Sequence, residues 1–425
     1  MKAIVFHGIG DLRLDDVDEP RIEESQDAIV RITAAAICGT DLHMVRGTLP
    51  GMKPGTILGH EGVGVVEELG KNVRNLNVGD RVVIPSTIAC GWCSYCRDGY
   101  FAQCDEANPN GKQAGTAFYG GPAQSGPFHG LQAEYARVPF ANVGLVKLPE
   151  EVGDHSAILL SDIFPTGWFG AEIAEVEDGD TVAVFGCGPV GQFAIASAKL
   201  LGAGRVIAVD RIASRLDMAR AQGAEVVHFE KEDPVETIRE LTGGIGVDRA
   251  IDAVGVDAEG PDSGPAAKKA KRKEEEYRRE RKQVAPETNV QGPLWQPGDA
   301  PSIALQWAVK ALAKAGSLSI IGVYPQTART FPIGEAMNKN LTINMGNCNH
   351  RRYIPDLLDM VRSGTVDPEK VLTNVEPLTS ALEAYEEFDQ REAGWIKVVL
   401  EPGGGDGTAS RRKPRRGARR ERAGA

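Results

Sequence analysis

Thr181-Val182-Ala183-Val184-Phe185 runs straight into Gly186-Cys187-Gly188-Pro189-Val190-Gly191, and a helix-compatible stretch follows from Gln192 to Leu201. The first of these segments is the near-continuous apolar run that a strand buried on both faces requires. The glycines then have separate tasks. Gly186 allows a tight turn, Gly188 lets the backbone approach a pyrophosphate, and Gly191 lets helix and strand pack closely. Pro189 and Val190 belong to the turn, and the N-terminus of the helix beyond it offers unpaired N–H groups and a positive dipole end that suit phosphate. A second strand, Arg205 to Val209, ends in Asp210. That aspartate stands close to the ~20 residues beyond the glycines at which a carboxylate binds ribose hydroxyls. Strand, glycine turn, helix, strand and terminal acid together make a dinucleotide-binding unit. Asp210 would repel the extra phosphate of NADP and so favours NAD. Arg211 works the other way, because an arginine can pair with a phosphate.

Further along, Ala224 to Val227 and Asp248 to Val254 read as strands. A helix is expected from Ile303 to Ala315, then strands at Ser317 to Ile321 and Leu341 to Met345. Strands alternating with helices predict an α/β, doubly wound parallel sheet. A segment from about 257 to 301 interrupts it, with Lys268-Lys269-Ala270-Lys271-Arg272-Lys273-Glu274-Glu275-Glu276 at its heart. Its charges are mixed and no apolar stripe repeats at helical spacing. A solvated helix or mobile insertion is expected, with a subunit contact as the alternative, and glutamates that offset the basic residues argue against nucleic-acid binding. A helix from Ile354 to Arg362 and a strand from Ile396 to Leu400 follow. From about Pro402 the chain is glycine-rich and then arginine-rich, which predicts disorder.

On the N-terminal side the pattern changes. Residues 1 to about 36, Val63 to Leu69 and Arg81 to Ile84 read as strands broken by glycine and proline turns. This half is an irregular, mostly β domain, and Glu150 to Glu177 reads as helix leading out of it. It carries two groups of chemistry-bearing residues. The first is Cys38-Gly39-Thr40-Asp41-Leu42-His43 with Gly59-His60-Glu61. A thiolate, an imidazole and a carboxylate can hold zinc with one position left for substrate; taken singly, Cys38 and His60 also read as ordinary buried residues. The second is Cys90, Cys93, Cys96 and Cys104, spaced C-x2-C-x2-C-x7-C. Four thiolates in one short stretch suit a closed, structural zinc site, with an iron–sulfur cluster as the rival.

The composition is that of an ordinary soluble globular protein. The 425 residues are 42% hydrophobic and carry a formal net charge of −11, so the body should not seek nucleic acid or acidic membranes. Seven cysteines, clustered and odd in number, argue for metal over a disulfide framework. The start is too short and too soon polar for a signal peptide, and no apolar run approaches the ~20 residues that span a bilayer. The cytoplasm is the expected compartment.

The assembled motifs resemble the zinc-dependent, medium-chain alcohol dehydrogenases over residues 1 to about 401. Gly59-His60-Glu61 followed by Gly64, Gly70 and Val73 matches that family's zinc signature. The resemblance implies a GroES-like, mostly-β catalytic domain (1–158, zinc lobe about 88–106) interrupted by a Rossmann NAD-binding domain (159–346). The chain would return to the catalytic domain at 347–401 and end in a basic tail, 402–425. It also implies zinc ligands Cys38, His60 and Asp162, the last standing four residues before Thr166. An aspartate at that place is similar to the formaldehyde dehydrogenase branch. Glu61 would sit beside the metal and exchange with water or Asp162, Asp41 would orient His60, and the four-cysteine lobe would hold a structural zinc. Asp210 and Arg215 would grip the adenosine ribose, and Thr166 would pack near the nicotinamide. A homo-oligomer, dimer or tetramer, is expected.

Such an enzyme must remove a proton and a hydride from an alcohol. Zinc makes the bound hydroxyl acidic. Thr40 can touch the substrate oxygen, and His43 can pass the proton through a cofactor ribose hydroxyl to solvent. The alternative is that both merely cap the following helical turn. The expected substrate is a primary alcohol or small aldehyde, formaldehyde or its adduct included. A polyol or threonine dehydrogenase is the rival enzyme. A zinc-containing protein that uses its arginine tail on nucleic acid is the rival outside enzymology.

Overall fold

The computed structural model describes residues 1–288 and 292–403; the arginine-rich tail, for which disorder is expected, lies outside the described residues. A six-stranded parallel sheet forms around the opening motif. Its order is Glu225–His228, Arg205–Asp210, Thr181–Phe185, Val247–Asp252, Leu312–Ile320, Thr342–Met345. Phe185 lies opposite Val209 on one side and Asp252 on the other. The strand order reverses at Thr181–Phe185, and ligands of such sheets bind beyond the carboxyl ends of the strands at that reversal. Val182, Ala183, Val184 and Phe185 are all buried, as a strand covered on both faces must be.

The helix after the glycine turn spans Pro189–Leu200, with Gly188 as its N-cap. It starts earlier than expected, because proline is well placed in a first helical turn, where its missing N–H costs nothing. Gly186 holds φ at +89°, and a Cβ on Gly191 would stand 1.9 Å from the Gly186 carbonyl oxygen. Neither position admits a side chain.

The N-terminal half forms a second, largely antiparallel sheet about Ala28–Ile37. That strand pairs with Gly62–Leu69, with Tyr135–Val138, and with the final strand Val398–Glu401, where Val398 faces Ile37. The chain thus returns at its end to the sheet it started beside. A small sheet of Lys2–Gly8, Asp11–Asp16 and Thr56–Ile57 completes this half.

Several expectations need correction. The stretch 150–177 is not one helix: Asp154–Ile158 and Ile163–Ile173 are separate, and Asp162 between them has φ −145° and ψ −68°. The expected helix 303–315 stops at Ala311, and a strand starts at Leu312. The charged insertion is neither loose nor a fully solvated helix. It contains Gly264–Lys271 and Glu274–Val284, and the second buries Tyr277, Glu280 and Val284. Its inner face interposes an acid between two apolar residues, which masks the helical period in the sequence. Lys269 pairs with Asp233 at 2.9 Å and Lys273 donates to Gln306 at 2.8 Å, so the insertion packs on the outer helices of the parallel sheet. Among the described residues no helix is long and apolar enough to cross a membrane.

Candidate functional site

Three distant segments converge between the two sheets. Cys38 is the N-cap of the helix Gly39–Arg46 and ends the long strand Ala28–Ile37. His60 precedes Gly62–Leu69, and Asp162 sits at the helix break. The Cys38 sulfur lies 3.7 Å from Asp162 Oδ2, and His60 Nε2 lies 3.1 Å from the same oxygen. Zinc bonds of about 2.3 Å to sulfur and about 2.0–2.1 Å to nitrogen or oxygen, at tetrahedral angles, separate donors by roughly 3.3–3.8 Å. The trio therefore fits one ion closely. Glu61 brings a carboxylate oxygen within 4.8 Å of these donors, and all four residues are buried.

The surroundings hold the donors rigidly. Asp41 lies 3.3 Å from His60 Nδ1 through one oxygen, and its other oxygen accepts from the Cys38 amide at 2.9 Å. Gln132 donates to Asp41 at 3.3 Å and accepts from the Tyr385 hydroxyl at 2.8 Å. Asp162 Oδ1 faces away from the trio and accepts from His350 Nε2 at 2.7 Å and from Thr166 at 2.9 Å. His350 Nδ1 in turn meets the Thr87 hydroxyl at 3.2 Å. Burial works to raise the Asp162 carboxyl, but hydrogen bonds from His350 and His60 hold it well below the ordinary carboxylate range. Burial works to lower His60, but the charges of Asp41 and Cys38 raise it well above its usual value. Burial pushes the Cys38 thiol up. Like charges packed this densely are what a divalent cation would relieve.

Glu61 is clasped by Lys397, whose Nζ donates to both carboxylate oxygens at 2.6 Å, with both side chains fully buried. Any exchange of Glu61 onto a metal has to loosen that pair. The sequence held a signal for it, a lone cation within the apolar run Ile396 to Leu400, although the strand itself starts one residue after that cation, at Val398. For His350, Gln132 and Tyr385 it held none, because each meets the site only through the fold.

The other cysteines gather as one cluster. Cys90 and Cys96 stand 4.0 Å apart and Cys93 and Cys104 3.9 Å apart, with all four sulfurs within 4.8 Å of one another. A disulfide needs about 2.05 Å. A multi-iron cluster places several atoms between its thiolates and would spread them farther. One tetrahedral ion with bonds of about 2.3 Å matches. Amides of Trp92 and Cys93 donate to the Cys90 sulfur at 3.4 Å, and the Cys90 amide donates to Cys104 at 3.2 Å. The hydrogen bond from Cys96 draws the Cys104 thiol down to about 5.

A cavity of about 610 Å³ joins the trio to the glycine turn. Cys38, Thr40, His43, His60, Asp162 and Thr166 line it, as do Gly186, Gly188, Pro189, Val190, Asp210, Arg211 and Arg215. Gly191 does not line it; it packs behind, against Gly186. Asp210 is buried and accepts from the amides of Cys187, Arg211 and Ile212 at 2.7–2.9 Å. Arg211 is paired with Glu259 of the insertion, and Glu230 lies 3.6 Å from it. His43 is buried and directs Nδ1 toward Asp257 and Thr48, both at 2.9 Å.

The chain is similar to known proteins. Residues 24–150 match the family model "Alcohol dehydrogenase GroES-like domain", and residues 189–263 match "Zinc-binding dehydrogenase". An uncharacterized zinc-type alcohol dehydrogenase-like protein of Bacillus subtilis is 40% identical over 406 residues, 95% of this chain and 100% of that one. A glutathione-independent formaldehyde dehydrogenase of Pseudomonas aeruginosa is 40% identical over 272 residues, 61% of this chain and 66% of that one. The solved structure of an alcohol dehydrogenase from Thermus sp. ATN1 superposes with a TM-score of 0.75 at 35% identity, covering 94% of this chain and 99% of that one.

Proposed function

The chain belongs to the zinc-dependent medium-chain alcohol dehydrogenase family, and on that premise we propose that it moves a hydride between a small primary alcohol or aldehyde and NAD. The observation that carries this reading is one cavity lined both by Cys38, His60 and Asp162 and by the glycine turn and Asp210. Cys38, His60 and Asp162 would hold the catalytic zinc, and Cys90, Cys93, Cys96 and Cys104 a structural one. Bound there, zinc supplies a Lewis acid that makes an alcohol hydroxyl acidic near neutral pH, and the nicotinamide supplies the hydride acceptor.

The chain's own residues do the rest. The turn at 186–191 would offer backbone N–H groups to the pyrophosphate of NAD, and Asp210 and Arg215, which line the same cavity, would hold its adenosine ribose. Thr40, on the first turn of Gly39–Arg46, holds the substrate hydroxyl and takes up its proton as its own moves on. His43, which lines the same cavity, would take up the proton that leaves Thr40. Thr166 braces Asp162 and bounds the nicotinamide side of the cavity.

The pairing of Arg211 with Glu259 supports NAD over NADP. With its guanidinium on Glu259 and Glu230 beside it, Arg211 has little left to offer a 2′-phosphate, and Asp210 repels one. A homo-oligomer in the cytoplasm fits the same reading; the edge strand Thr342–Met345 leaves Met345 exposed, a surface available for pairing.

A panel of alcohols and aldehydes with NAD and NADP, run with and without glutathione, tests the proposal. The formaldehyde dehydrogenase relative is named as glutathione-independent, so turnover of small primary substrates without the thiol is expected. A preference for NAD of at least about tenfold in kcat/KM, ~1.4 kcal/mol, should accompany it, and Glu259→Ala should narrow that preference. Turnover confined to polyols or threonine would overturn the substrate assignment. NADP preferred over NAD would overturn the cofactor assignment.

A further inference from the structure

His43 is not left to solvent. It lies on the helix Gly39–Arg46 with its side chain 7% exposed, and its Nδ1 stands 2.9 Å from Asp257 Oδ2. Asp257 belongs to the other half of the molecule. It closes the turn Gly255–Asp257, directly beyond the parallel-sheet strand Val247–Asp252, at the start of the charged insertion. The far end of that insertion returns to it, with the Gly298 amide donating to Asp257 Oδ1 at 3.2 Å. Arg46 donates to Oδ2 at 3.1 Å and the Thr48 hydroxyl at 3.2 Å. Arg46 is itself held by Asp389 at 2.8 Å. Burial alone would raise the Asp257 carboxyl, but His43 and Arg46 beside it bring it far below the usual carboxylate range. An ionised carboxylate can only accept, so the 2.9 Å contact calls for an N–H at His43 Nδ1 opposite Asp257 Oδ2.

We propose that Asp257 is a positioning residue for the proton relay: it fixes His43 as the Nδ1–H tautomer, so that the Nε2 lone pair faces the cavity and can accept the alcohol proton. This rests on the dehydrogenase reading and on His43 as the relay residue. The reason for a carboxylate is chemical. A neutral histidine accepts a proton only at the nitrogen that carries a free lone pair, and its partner at the other nitrogen decides which one that is. A carboxylate also stabilises the imidazolium formed in transit. The same logic orients the histidine of serine-hydrolase triads, where an Asp-to-Asn exchange leaves the geometry and loses the tautomer. Here the two partners come from the two halves of the chain, so a competent relay requires both halves to be seated together.

The test is a double-mutant cycle on the zinc-loaded enzyme with NAD and a primary alcohol. Asp257→Asn keeps size and should lower kcat near pH 7 by roughly 10–100-fold, less than the ~100–10,000-fold that a general acid–base group itself contributes, because Asp257 acts only through His43. NAD affinity, read by protein fluorescence, and zinc content should not change. In a His43→Ala background the same Asn exchange should cost less than about twofold, because a residue that acts only through His43 has nothing left to position. Asp257→Glu should recover part of the loss. Arg46 keeps Asp389 in every variant, and Asp257→Ser offers a second route if the Asn protein accumulates poorly. An equal loss with and without His43 would make Asp257 a structural residue and overturn the inference. An unchanged kcat in Asp257→Asn would do the same. If His43→Ala alone leaves turnover untouched, the relay itself is wrong, while the zinc and NAD assignments stand.

Discussion

The two metal-type clusters among the described residues are built in opposite ways. The cysteine lobe is local, with four identical donors supplied between Cys90 and Cys104 and backbone amides of the same stretch donating to the sulfurs. The trio is assembled across sequence separations of 124 residues from Cys38 to Asp162 and 102 from His60 to Asp162. It uses three different donor types and keeps its fourth candidate, Glu61, on Lys397. A local cage of four like donors is coordinatively complete and can only staple the fold. A cage whose walls come from separate elements registers the whole fold, and it can border a cavity. The clusters are also joined. Within the lobe the Ala102 amide donates to Asn349 at 2.9 Å, and the next residue, His350, donates to Asp162 at 2.7 Å. The staple thereby braces one wall of the open site.

The largest effect expected from this contrast is on Asp162→Ala. Removing one of three mixed donors should empty the open site and leave the lobe filled, so that metal analysis falls from two zinc ions per chain to one. Turnover should drop by more than about 100-fold, beyond the 10–100-fold usual for residues that only support ligands. Two ions retained in that variant would sink the assignment of Asp162. Cys96→Ser attacks the other cluster. The lobe ion should be lost and the thermal midpoint should fall by roughly 5 °C or more, at ~2–4 °C per kcal/mol for domains of such size. The folded fraction should keep its open-site zinc and lose less than about tenfold in turnover, a loss transmitted through Asn349 and His350. A Cys96→Ser protein with an unchanged midpoint would mean that the lobe staples nothing.

What could be read in advance follows the same division. The glycine turn and the cysteine lobe were legible because each is short-range: backbone approach or ligand spacing demands the residue types within one stretch. Cys38 and His60 were legible as candidate donors from their own stretch, whereas Asp162 came only through the resemblance to the zinc-dependent alcohol dehydrogenases, at the place four residues before Thr166. The break that presents Asp162 was not visible, since the residues around it are as apolar as a helix interior would be. Its backbone, at φ −145° and ψ −68°, leaves the helical region. Asp257, Gln132, Tyr385 and His350 carry no local pattern at all. Each is an ordinary polar residue whose meaning appears only when another element arrives, as with Asp257 across 214 positions of sequence from His43. The insertion misled for a related reason. Its inner face mixes Tyr277 and Val284 with Glu280, so hydrophobic periodicity, the usual guide to a docked helix, was diluted.

The smallest expected effect, and the one that most sharpens the contrast, is at His350. Asp162 divides its two oxygens: Oδ2 faces Cys38 and His60, while Oδ1 is held by His350 and Thr166. A carboxylate pinned through one oxygen offers the other in a fixed direction, which is how supporting residues raise a ligand's effective basicity. His350→Ala leaves Thr166 in place, so Asp162 should still ligate but less firmly. Open-site zinc affinity, measured by chelator competition, should weaken by about tenfold, with lobe affinity unchanged. His350→Gln, which can still donate a hydrogen bond to Oδ1, should recover most of the loss. Because the lobe depends on no residue outside its own stretch for its donors, a variant in which both ions become easier to remove would show that His350 supports the fold at large. A variant in which neither does would show that Thr166 alone suffices to aim Asp162.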